Sequence, residues 1–199
     1  MYEQEQSKYC YPNSDVLINK PGFKQQSQLE AFERLVTTER LRLLQLRPLK
    51  GLFDKKHLCG IHKFIFRDVY PFAGKIRDED SSKGNFRFAA VRFLHDQTDE
   101  LLYKVKTEKY LKDILHFEEY VNRITYFLAE LNVLHPFREG NGRTQREFIR
   151  CLALQAGYEI DWTKVEPTTI LHAMIKSPFD YSELKDVMGK VLSKKNEEQ

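Results

Sequence analysis

The sequence has little of what would tie it to export, a membrane or a metal scaffold. Its three cysteines, Cys10, Cys59 and Cys151, form no CxxC pair and no zinc spacing. Neither a disulfide framework nor a zinc module is expected, and a reduced, cytoplasmic protein is the reading that fits. No apolar run approaches the roughly 20 residues of a bilayer span. Met1 to Lys8 has no apolar segment of the leader type. An excess of one charge is missing too. The 32 Lys and Arg stand against 29 Asp and Glu, a net of +3, too little to argue for nucleic acid or an anionic membrane. Repeats and low-complexity tracts are absent. What remains is 199 residues, 41% hydrophobic and 31% charged, enough for one globular domain with a buried core.

Residues 1–26 are polar, with Tyr9, Tyr11 and Phe23 set among Pro12, Asn13, Pro21 and Gly22. They read as an irregular arm whose aromatics dock on a single domain over 27–199. From Ser27 the period changes. Leu29, Phe32, Leu35, Val36, Leu43 and Leu46 recur at helical steps and stop before Pro48. Asp54 suits the N-cap of a second helix carrying Leu58, Ile61, Ile65 and Val69 and ending near Pro71. Phe86 and Phe88 alternate with Arg87 after the turn residues Lys83, Gly84 and Asn85, the pattern of a short hairpin.

Helix is expected again over 99–106. The clearest helix follows, where Phe117, Tyr120, Val121, Ile124, Phe127, Leu128, Leu131 and Leu134 make an apolar face wide enough for the middle of the fold. Residues 143–156 form another, closed by Gly157, and shorter helices are expected over about 167–176 and 181–193. The fold class is therefore mostly α, a helical bundle with one short β-hairpin.

The chemistry is concentrated in His135-Pro-Phe-Arg-Glu-Gly-Asn-Gly-Arg-Thr-Gln-Arg146. A buried helix delivers His135 to its C-terminal end, where Pro136 discourages continuation. A loop with Gly140 and Gly142 then opens into a helix, and unshielded backbone N–H groups at such an N-terminus suit a phosphate. Arg143 and Arg146 share one face of its first turn and can reach anionic oxygens. Glu139 places a carboxylate beside them, suited to Mg²⁺. His135, whose ordinary pKa lies near neutrality, is the candidate general base. Each residue alone has a plainer reading, as a cap, a turn or a solvated helix face; their joint order is the signal. His57, His62, His95, His116 and His172 share no motif or ligand spacing and receive no catalytic role.

This segment resembles the motif of the Fic (filamentation induced by cyclic AMP) family, His-Pro-Phe-x-Glu/Asp-Gly-Asn-Gly-Arg-x-x-Arg, at every fixed position. The likeness extends through Asp68 to Arg77, Ser82 to Phe88 and Glu130 to Leu134, and covers about residues 27–176. The arm is similar to that of the small bacterial members called cell filamentation proteins. The resemblance implies a Fic-type helical bundle with a hairpin flap beside the active-site loop. It implies a protein adenylyltransferase that moves AMP from ATP to a Tyr, Ser or Thr hydroxyl of a target protein.

By position, His135 would be the base and Glu139 would hold Mg²⁺. Gly140, Asn141 and Gly142 would form the anion loop, with Asn141 on the α-phosphate. Arg143 would contact the β-phosphate, Arg146 would grip the γ-phosphate, and Phe137 would anchor the loop. Lys83, Gly84, Asn85, Phe86, Arg87 and Phe88 would form the flap that positions the target.

The related Doc toxins have Ala and Lys where this chain has Gly140 and Gly142, which weighs against their kinase chemistry. A Doc-like kinase, a hydrolase that removes AMP and a protein-binding module stay open as alternatives. The family's inhibitory pattern, Ser/Thr-x-x-x-Glu-Gly/Asn, is approached by Ser193 to Glu197, where Glu198 breaks it. A toxin held in check by a separate small antitoxin is therefore the expected regulation.

Overall fold

The computed structural model describes residues 6–84 and 86–195. Asn85 of the expected flap and Glu197 of the broken inhibitory pattern lie outside them. Among the described residues, helices α1 (Gln26–Leu46), α2 (Lys55–Phe66), α3 (Val91–Thr107), α4 (Phe117–Leu134), α5 (Asn141–Gln155), α6 (Pro167–Lys176) and α7 (Ser182–Val191) make up most of the fold. Two small antiparallel pairs complete it, β1 (Ser82–Lys83) with β2 (Phe86–Arg87), and β3 (Tyr158–Ile160) with β4 (Leu192–Lys194).

Helix α4 runs through the centre, with Tyr120, Ile124 and Leu128 shielded from solvent and α3, α5 and α7 packed around it. Helix α5 also packs on α2, which in turn supports α1. Asp54 caps α2 by accepting a hydrogen bond from the His57 N–H at 2.8 Å, so one orphan donor of the first turn is satisfied. Gly157, at φ +83°, turns the chain after α5.

The arm lies on the body through Tyr9 edge-on to Phe72, ring centroids 5.2 Å apart. Lys8 pairs with Asp78 and Ser7 with Glu79, on the segment that leads into the hairpin.

Several boundaries differ from the sequence reading. Helix α2 stops at Phe66 rather than near Pro71, because Val69 and Tyr70 turn back with their N–H groups on the Phe66 carbonyl. Val69 still enters the core, which is why the apolar period runs past the helix end. Helix α3 starts at Val91 rather than 99. Asp80, eleven residues earlier, accepts from the Val91 N–H at 2.8 Å, a start signal invisible to local periodicity. Helix α5 starts at Asn141 rather than 143. The last helix ends at Val191, and Leu192–Lys194 is a strand on Tyr158–Ile160. Three-residue strands more than 30 positions apart leave no periodic trace.

Candidate functional site: a cavity between the flap, the α4–α5 loop and α6

A cavity of about 540 Å³ is lined by three regions. One wall is the hairpin, with Lys83, Gly84, Phe86 and Phe88. The floor is His135 and the loop from Arg138 through Gly142, with Arg146 beyond it. The third wall is apolar, with Leu171, Met174 and Ile175 of α6. The volume falls in the range of small-molecule sites. One end is apolar and the other is rich in donors.

His135 caps the C-terminus of α4 in the left-handed conformation, φ +47° and ψ +60°. A non-glycine residue rarely adopts it, and here it swings the imidazole out of the helix line towards the cavity. Its Nδ1 lies 3.3 Å from the Asn132 carbonyl, an acceptor only, so Nδ1 carries the proton and Nε2 keeps its lone pair. The ring is stacked on Phe88. Burial pushes its pKa down to about 4. The Asn132 carbonyl pulls it up, and the cations Arg77 and Lys83 add to the lowering. The imidazole is therefore neutral and proton-accepting near pH 7.

The loop is held by its own amide. Asn141 Oδ1 accepts from the Phe137 N–H at 2.9 Å, and its Nδ2 donates to the Phe137 carbonyl at 2.7 Å. The family resemblance implies a phosphate role for this side chain; in the structure both ends of the amide brace the loop. Phe137 itself is fully buried.

Gly140 sits at φ +80°, and a Cβ there would lie 2.2 Å from the Phe66 ring. Both facts call for glycine. Its N–H donates to Glu139 Oε1 at 2.8 Å. The N-terminus of α5 has no side-chain cap, so its first N–H groups have no intrahelical partner and lie where Asn141 and Gly142 line the cavity.

Arg146 lines the same cavity. Among the described residues its guanidinium has no hydrogen bond or ion pair. Burial, and then repulsion from Arg143, lower its pKa. A half-buried cation without a counter-charge at an uncapped helix N-terminus is an arrangement that suits an anion.

Arg143 is placed elsewhere. Its guanidinium pairs with Glu33 Oε1 at 2.5 Å and Thr37 Oγ1 at 3.0 Å on α1 and stacks over Phe66. It lines a second hollow of about 290 Å³, whose other lining residues all belong to α1. It reaches the first cavity's residues only through Glu139 Oε1, at 3.5 Å.

Sequence reasoning missed His62. Fully buried, it stacks on Phe137 with centroids 3.9 Å apart and planes 7° from parallel. Its Nδ1 accepts from the Gly74 N–H at 2.7 Å, so Nε2 carries the proton and donates to the Glu139 carbonyl at 2.9 Å. The ring thus clamps the loop to α2. Its spacing, four after Leu58 and three before Ile65, places it on the apolar face of that helix, and this was the available signal.

The fold and this cavity define a helical domain with a pocket of small-molecule size, in which an arginine unpaired among the described residues and an uncapped helix N-terminus lie with a neutral histidine. The Fic/DOC family model matches residues 52–153. The chain is 40% identical over 183 residues to the protein adenylyltransferase VbhT of Bartonella schoenbuchensis, covering 92% of this chain and 38% of that protein. It is 34% identical over 191 residues to a probable protein adenylyltransferase Fic of Salmonella typhimurium, covering 95% of this chain and 94% of the relative. This chain belongs to the Fic/DOC family.

Among solved structures, the N-terminal Fic domain of a putative cell filamentation protein from Bartonella quintana, with bound ADP, superposes at a TM-score of 0.86 and 26% identity, covering 94% of this chain and 95% of that one. BepC from Bartonella tribocorum, with bound AMPPNP, shares the fold at a TM-score of 0.88 and 22% identity, covering 94% and 97%. No described helix is long and apolar enough to cross a membrane.

Proposed function

We propose that this chain is a protein adenylyltransferase that moves AMP from ATP to a Tyr, Ser or Thr hydroxyl of a target protein in the cytoplasm. The observation that carries the reading is Arg146, a cation without a counter-charge, in a cavity that also holds the proton-accepting His135. The relatives named as adenylyltransferases and the ADP-bound neighbour support it.

The phosphates sit on the N–H groups opening α5, with Arg146 on the terminal ones. The apolar α6 wall takes the nucleoside. Arg143 stays with Glu33 and braces Glu139 from behind, and it reaches the β-phosphate only by leaving that pair. The target hydroxyl gives its proton to His135 Nε2 as its oxygen attacks the α-phosphorus. The bond from that phosphorus to the bridging oxygen breaks, and pyrophosphate leaves. Nucleotide charge in the cavity raises the proton affinity of His135 from its low value, so the base strengthens when it is needed.

Glu139 fits Mg²⁺. Its Oε1 is held by the Gly140 N–H, and Oε2 has no hydrogen bond among the described residues. The side chain is 43% exposed at the cavity wall. One carboxylate with phosphate oxygens is a donor set that Mg²⁺ takes. Among the described residues no cluster of three or more His, Cys, Asp or Glu could hold a metal by itself. When bound, the ion would neutralise charge on the departing pyrophosphate.

Restraint of the activity is assigned to a separate small antitoxin, because the inhibitory pattern is broken at Glu198. Co-expression with such a partner, and loss of transfer on reconstitution, is its test.

ATP labelled at the α- or the γ-phosphate, incubated with the chain and a cell lysate, tests the reaction, with His135→Ala as control. Transfer of the α label, absent in the variant, is the expected result. Transfer of the γ label would replace the reading with a kinase. No transfer of either, with ATP bound, would leave a binding module.

A further inference from the structure

Arg77 is 1% exposed and has no carboxylate partner among the described residues. Burying a guanidinium without a counter-ion is costly, and burial does push its pKa down. Asp80 favours the charge from a distance, but every hydrogen bond of the guanidinium goes to a backbone carbonyl. Nε donates to the His135 carbonyl at 2.8 Å, Nη1 to the Glu79 carbonyl at 2.8 Å, and Nη2 to the Ala89 carbonyl at 2.5 Å and the Leu134 carbonyl at 3.3 Å. Its own N–H donates to the Pro136 carbonyl at 2.8 Å.

Leu134 and His135 end α4, where carbonyls lack helical partners and the helix dipole is negative. Glu79 and Ala89 stand at the two points where the chain enters and leaves the flap. The roots of the flap are otherwise joined to each other by the Phe88 N–H on Ser81 and to α4 by the Ala89 N–H on Val133, each at 3.1 Å.

We propose that Arg77 is a positioning residue for the transfer, a planar fork that sets the backbone of the base and both roots of the flap as one rigid unit. A neutral amide has two N–H donors and could satisfy at most two of these four carbonyls. A lysine keeps the charge but has no planar fork to span them. A target hydroxyl delivered on the flap then arrives in fixed register with His135 Nε2, while the anion loop, held separately by Asn141 and His62, does not depend on Arg77. This inference rests on the adenylyltransferase reading for its rate effect but not for its structural effect.

The test uses Arg77→Lys and Arg77→Gln. The expected result for Arg77→Lys is kcat lowered about 10- to 100-fold, as for a misplaced reacting pair, with ATP affinity by calorimetry unchanged. Hydrogen exchange should accelerate at the amides of Phe88 and Ala89. The pH profile separates charge from geometry. Lys83 on the flap, Arg138 and Glu139 in the loop and Arg146 on α5 share the cavity with His135 and remain in both variants. The acid limb should therefore stay in place in Arg77→Lys and move to higher pH in Arg77→Gln.

Wild-type transfer by Arg77→Lys, or ATP affinity falling in step with transfer, would overturn the proposal. If the wild-type chain transfers no AMP, the adenylyltransferase reading fails by itself. The exchange rates and a His135 titration followed by NMR then still decide the role of Arg77.

Discussion

Phe88 lies flat on His135, with ring centroids 3.7 Å apart and planes 14° from parallel. The flap is thereby joined to the base before any target arrives, and the same contact removes water from one face of the imidazole. Phe88 meets Phe86 edge-on at 5.2 Å, and Phe86 meets Phe179, beyond α6, at 5.3 Å. Aromatic contact thus runs from the base, along the flap, to the far side of the cavity.

Because burial is the largest cause of the low pKa of His135, Phe88→Ala should let that pKa rise from about 4 towards 6.5. Transfer near neutral pH should fall by about tenfold as the flap loses its seat on the base. NMR titration of the labelled imidazole beside the transfer rate checks both. An unmoved pKa would mean that Phe88 does not desolvate the ring.

His62 makes stability depend on pH. Its folded pKa, near 4, lies below the ordinary 6.5, so the unfolded chain binds the proton more readily between those values. The contribution is whole above pH 6.5 and is lost as pH falls to 4, by about 3 kcal/mol. Protonation would also set an N–H against the Gly74 N–H. Denaturant midpoints of the chain and His62→Gln across pH 4–7 should converge towards acid. Parallel curves would contradict this.

At Gly140 an added methyl meets both the left-handed backbone and the Phe66 ring. Gly140→Ala should cost about 2–4 kcal/mol of stability. Adding Phe66→Leu should return part of it, leaving the backbone strain. Urea unfolding of the single and double variants separates the two causes.

Arg146→Met removes a cation that has no counter-charge among the described residues. Stability should rise by about 1 kcal/mol, while ATP affinity falls about 10- to 100-fold for the loss of charge-assisted bonds. Thermal melts and calorimetry give the two signs independently. A loss of both would mean that Arg146 has a structural partner.

Much of this was legible in the residues. The wide apolar face of Phe117 to Leu134 announced a central helix, Asp54 announced a cap, and the glycines between His135 and Arg146 announced a loop opening into a helix. These are signals between neighbours in the chain, carried by helical period, capping chemistry and glycine's freedom, and they need no tertiary context. What the sequence left open was the choice of partner for each buried polar group, which lies 77 positions away for His62 and Glu139 and 110 for Arg143 and Glu33.

Glu33 on α1 takes Arg143 away from the first cavity, and nothing near Arg143 in the chain foretells that. His62 reads as one more apolar-face position until Glu139 and Gly74 fix its tautomer. Asn141 looked like a phosphate ligand and braces a loop. Local order along the chain determined which groups are present and which elements carry them. Only packing decided which direction each polar group faces, because a buried donor or acceptor must take whatever partner the assembled core provides.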